Sequence, residues 1–66
     1  MMDLKAFSEL VTEIQSQGYD RGTACRYASL LGDLPVRDTN GDVLVEDEQG
    51  KVIARLKPLK FYGIGP

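Results

Sequence analysis

Two short units, repeated at a spacing of nine residues, constrain this chain more than any other feature. Val36-Arg37-Asp38-Thr39-Asn40-Gly41-Asp42-Val43 is followed by Val45-Glu46-Asp47-Glu48-Gln49-Gly50-Lys51-Val52. Each unit reads as a strand end, a turn that begins with Asp, a Gly three residues later, and a β-branched residue that reopens a strand. Asp at the first turn position bonds nearby backbone N–H groups, and Gly at the fourth tolerates positive φ. Two such units in succession predict two hairpins, hence a three-stranded antiparallel meander between Leu34 and Leu56.

Four-residue loops, Asp38 to Gly41 and Asp47 to Gly50, predict a specific register. Arg37 then faces Asp42, Glu46 faces Lys51, Val45 faces Val52, and Asp42 also faces Arg55. Because side chains alternate along a strand, Leu34, Val36, Val43, Val45, Val52, Ala54 and Leu56 are expected on one face. The other face carries Arg37, Asp42, Glu46, Lys51 and Arg55, with Leu44 and Ile53 as its apolar residues.

Upstream, the periodicity changes to that of helices. Leu4, Phe7, Leu10, Val11 and Ile14 form one apolar stripe between Asp3 and Gln17, with Asp3 as N-cap and Gly18 just past the end. A second helix is predicted from the cap Asp20 to Leu31, with the stripe Ala24, Tyr27, Ala28 and Leu31; Gly32 closes it and Pro35 prevents continuation. Neither stripe can be buried alone. The expected fold is therefore α+β, ααβββ, with both helices on one face of the meander. Residues 1–58 make this single small domain, and residues 59–66 a basic-aromatic C-terminal tail.

At 66 residues the core is thin, since so short a chain buries only about 60% of the surface its unfolded form exposes. Such domains lean on disulfides, metals or partner subunits. Cys25 is the single cysteine and there is no His, so neither an internal disulfide nor a structural zinc site is expected. Association is the remaining support, and a weak homodimer through the outer sheet face or an edge strand is the expected form. No apolar run suggests a membrane span or an export signal, and one cysteine fits a reducing cytoplasm.

Chemistry-bearing patterns are few. Asp38 to Asp42 resembles the start of a calcium loop, but an EF-hand beginning at Asp38 needs Gly at 43 and Glu at 49, where this chain has Val43 and Gln49. Cys25 lies beside the apolar stripe of the second helix and reads as a half-buried inert thiol. With no His and no catalytic spacing among the carboxylates, the chain is not expected to be an enzyme, and no cofactor or metal is implied.

Charge is distributed unevenly. Before residue 50, ten carboxylates meet four Lys/Arg, a net charge of −6; the last 16 residues hold four Lys/Arg and no acid, a net charge of +4. Within that tail Lys57 and Lys60 stand next to Phe61 and Tyr62, a combination suited to an interface in which rings provide area and cations orient an acidic partner. The expected function is that of a non-catalytic accessory or adaptor protein. It would bind another protein through Lys57, Lys60, Phe61 and Tyr62, with Leu44 and Ile53 on the outer sheet face. The alternative is a helix-turn-helix-like DNA binder using Arg21, Thr23 and Arg26 of the second helix. An acidic body argues against it, because DNA binding requires phosphate neutralisation.

Overall fold

The computed structural model describes residues 4–32 and 36–60. Helix α1 spans Leu4–Ser16 and helix α2 Arg21–Leu31, followed by strands β1 (Val36–Arg37), β2 (Val43–Glu46) and β3 (Val52–Leu56). The strands form one antiparallel sheet in the order β1-β2-β3. The ααβββ architecture is the one expected from the sequence. The proposed cap Asp3 and the inward-facing Leu34 lie outside the described residues.

Each helix forms for the reasons its sequence suggests. In α1 the stripe buries Leu10, Val11 and Ile14, while Phe7 packs against the core edge. Leu4, the first residue of α1, departs from expectation: it is 87% exposed. Helix α2 starts where Asp20, in extended conformation, accepts a hydrogen bond from the Thr23 backbone N–H at 2.8 Å, satisfying one of the free donors of the first turn. Its buried stripe is Ala24, Ala28 and Leu31. Tyr27 stays half-buried, edge-on to Tyr19 with ring centroids 5.4 Å apart.

These helix residues share one core with Val43, Val45 and Leu56 of the sheet and with Leu59 beyond it. Burying Leu59, a residue of the predicted tail, ties the chain after β3 to α1. There the Gln17 side chain accepts from the Lys57 N–H at 2.9 Å and donates to the Lys57 carbonyl at 3.1 Å. One turn earlier on the helix, a Glu13 carboxylate oxygen accepts from the Lys60 N–H at 2.6 Å.

The meander is present, but its register corrects the expectation. The Asp38 N–H bonds the Asp42 carbonyl at 3.1 Å and the Asp47 N–H bonds the Lys51 carbonyl at 2.9 Å. Each loop therefore has three residues between its closing pair, not four. This is a turn followed by a left-handed glycine, with φ of 86° at Gly41 and 83° at Gly50, a conformation that costs a side-chain-bearing residue energy.

Shortening a loop by one residue moves the following strand to the opposite face. In the first hairpin nothing compensates: Val36 pairs with Leu44 and Arg37 with Val43, so Val36 turns outward and is 47% exposed. In the second hairpin a bulge does compensate. Glu46 pairs with Val52, then the register shifts, and Val45 pairs with Ala54, Leu44 with Arg55 and Val43 with Leu56. One extra residue on β3 restores the original parity, so Ala54 and Leu56 face the helices as expected. Val52, at the bulge, is left 46% exposed. The expected facing pairs Arg37–Asp42, Glu46–Lys51, Val45–Val52 and Asp42–Arg55 are thus replaced. Arg55 instead pairs with the Asp38 carboxylate.

Candidate binding surface

The parity changes assemble the outer face of the sheet. Leu44 lies at its centre, half-buried, with Val36 opposite it on β1 and Arg55 opposite it on β3. Val52 and Ile53 occupy the bulge beside Glu46, and Ile53 is 37% exposed. Leu44 and Ile53, singled out in the sequence as outward-facing, are therefore joined by two valines that the four-residue-loop reading had placed in the core. The signal that could have found them is the Asp-x-x-Gly spacing itself, which also fits a three-residue loop ending in a left-handed glycine. Isolated surface hydrophobics are ordinary. Val36, Leu44, Val52 and Ile53 instead run across all three strands of a small sheet.

Two aspartates bordering this face are engaged by their own turns. Asp38 Oδ1 accepts from the Asn40 N–H at 2.9 Å and the Asp42 N–H at 3.1 Å, while its other oxygen meets Arg55. Asp47 Oδ1 accepts from the Gln49 and Lys51 N–H groups, both at 2.9 Å. The resemblance of Asp38–Asp42 to a calcium loop is thereby accounted for by turn chemistry: the carboxylate is directed at its own backbone. The basic side chains on and after the sheet, Arg37, Lys51, Arg55, Lys57 and Lys60, are all exposed.

Of the four tail residues singled out, Lys57 and Lys60 have their backbones held against α1 and their side chains exposed. Phe61 and Tyr62 lie outside the described residues. In α2, Arg21 and Arg26 are exposed and Thr23 is half-buried. The two arginines are five residues apart, about 140° around the helix axis, so they do not share a face. Thr23 and Arg26 do, at i and i+3.

Cys25 is half-buried against the core. Asp20 is held below its ordinary carboxylate pKa by hydrogen bonds from Thr23, first its hydroxyl and then its backbone N–H; this belongs to helix capping. Among the described residues, no three His, Cys, Asp or Glu side chains are grouped so as to hold a metal ion, and no helix is long and apolar enough to cross a membrane. Compared with protein families, curated proteins and solved structures, the chain has no significant match.

Proposed function

We propose that this chain is a non-catalytic binding module whose partner is a protein presenting an apolar strip flanked by carboxylates. The observation that carries the reading is the row Val36, Leu44, Val52 and Ile53 on the sheet face away from the helices. Exposed Lys51, Arg55, Lys57 and Lys60 lie on β3, at its start and just beyond it. Apolar area supplies association energy, and the cations select and orient an acidic partner. Lys57 and Lys60, with the adjacent Phe61 and Tyr62, extend the same chemistry along the chain.

The test is capture from native lysate, with and without nuclease, by the full chain and two variants. One is Leu44→Ser with Ile53→Ser; the other is Lys57→Glu with Lys60→Glu. Both should keep the circular dichroism of the parent and lose the same nuclease-resistant protein. Undiminished recovery by both folded variants sinks the proposal. A nuclease-sensitive complex lost in Arg21→Ala or Arg26→Ala supports the DNA-binding alternative instead. A concentration-dependent dimer abolished by the Leu44/Ile53 variant would make the partner a second copy of the chain.

A further inference from the structure

The two turns differ at one chemically consequential position. Asn40 precedes Gly41 in the first, and Gln49 precedes Gly50 in the second. An Asn side-chain amide is open to attack by the next backbone nitrogen, and glycine, lacking Cβ, offers that attack the least obstruction. Asn40 is exposed, so water reaches it.

We propose that Asn40–Gly41 is a self-modification site, converting to aspartyl and isoaspartyl forms at a rate set by the hold of Asp38 on the turn. The Gly41 amide loses its proton to water or hydroxide, and its nitrogen attacks Asn40 Cγ. A new N–Cγ bond forms, the Cγ–Nδ2 bond breaks, and ammonia departs with a proton from solvent. The resulting five-membered succinimide is opened by water at either carbonyl, giving Asp or its β-linked isomer. The net change is one water consumed and one ammonia released, with nothing oxidised or reduced.

Asp38 opposes the first step in two ways. Its carbonyl accepts from the Gly41 N–H at 3.1 Å, which occupies the nucleophile. Its carboxylate accepts from the Asn40 and Asp42 N–H groups at 2.9 and 3.1 Å, which holds the Asn40 backbone in the turn rather than in the ring-closing conformation. The second turn is an internal control with the same bonds: Gln49 N–H to Asp47 Oδ1 at 2.9 Å and Gly50 N–H to the Asp47 carbonyl at 3.0 Å. A Gln side chain is one methylene longer and must close a six-membered ring, which is slower.

The product perturbs the part of the sheet least able to tolerate it. A new carboxylate appears between Asp38 and Asp42, and the isoaspartyl form lengthens the loop backbone beside the two-residue strand β1. The outcome is loss of the Val36–Leu44 pairing. This inference does not depend on what the sheet binds.

The experiment incubates the full chain at mildly alkaline pH and follows each peptide by mass and by chromatography that separates aspartyl from isoaspartyl forms. Asn40 should convert while Gln49 does not, and Asn40→Gln should abolish the reaction at this turn. Asp38→Ala should accelerate conversion about tenfold, the scale of losing a charge-assisted hydrogen bond. Asp47→Ala, which removes the equivalent bonds from the other turn, should leave the rate close to the parent's. No conversion at Asn40, an unchanged rate in Asp38→Ala, or equal acceleration by Asp38→Ala and Asp47→Ala would each overturn the proposal. The last result would mean that the rate follows global opening.

Discussion

The Gln17 side-chain amide engages both hydrogen-bonding groups of the Lys57 backbone, at 2.9 and 3.1 Å. A neighbouring strand would satisfy a residue in the same way. Here a residue just past the end of α1 does so, and α1 is thereby coupled to the chain that leaves β3. Removing the amide by Gln17→Ala should lower stability by about 1–2 kcal/mol, read as a shift of the denaturant midpoint. Gln17→Glu keeps the acceptor and loses the donor, so a smaller shift is expected. No shift for either variant would show that the coupling contributes nothing in solution.

Leu59 is buried although it follows the proline that ends the sheet. Leu59→Ala should therefore cost about 3 kcal/mol through lost burial and a residual cavity. Lys60→Ala, which retains the bonded backbone N–H, should be close to neutral. Equal effects of the two would contradict the burial of Leu59.

Inward and outward valines of the same meander should respond differently to substitution. Val45, fully buried, should lose about 2–3 kcal/mol on truncation to Ala. Val52→Thr, on the outer face, should stay within about 0.5 kcal/mol of the parent. Thermal or chemical unfolding of the pair decides the matter, and the reverse order would restore the register with Val52 inside.

The bulge can be tested by deletion. Ile53→Ala removes part of an exposed side chain and should cost less than about 1 kcal/mol. Deleting Ile53 removes the surplus residue and leaves Ala54 opposite Val45, Arg55 opposite Leu44 and Leu56 opposite Val43, so cooperative folding should be retained in a regular, bulge-free hairpin. A deletion variant that loses cooperative folding would show that Ile53 is not the residue surplus to the register.

Helix α2 should fray in acid. The folded-state pKa of Asp20 lies below its ordinary value of 3.8, so its contribution is fully present above that value. It is lost as pH falls through the lower, folded-state value. Helical circular dichroism near the acid limit should drop in the parent, and Asp20→Asn should lack this component of the pH dependence. Superimposable acid titrations for parent and variant would remove the cap from the account.

Much of the fold is legible in the sequence because the interactions that produce it are local. The helical stripes of α1 and α2, the Asp20 cap and the two Asp-x-x-Gly turns each depend on residues within a few positions of one another. So does the alternation that makes β2 half-buried, with Val43 and Val45 inside. The placement of Leu44 and Ile53 on the outer face is legible for the same reason. Whether a loop has three or four residues is also local, yet both lengths fit the same Asp and Gly positions, and the choice changes the face of the next strand.

Tertiary packing made that choice. Extending the second three-residue loop without a bulge would place Arg55 opposite Val43 in the core, where an unpaired charge is costly. The extra residue at Val52–Ile53 moves Arg55 out to Asp38 and Leu56 in. On the two-residue edge strand β1, Arg37 does stand opposite Val43 but stays exposed, so no bulge is imposed there and Val36 remains outside. Leu59 and the Gln17–Lys57 pairing were beyond sequence reasoning for a related reason. They join positions 40 residues or more apart, and nothing in the local pattern of either segment specifies the other.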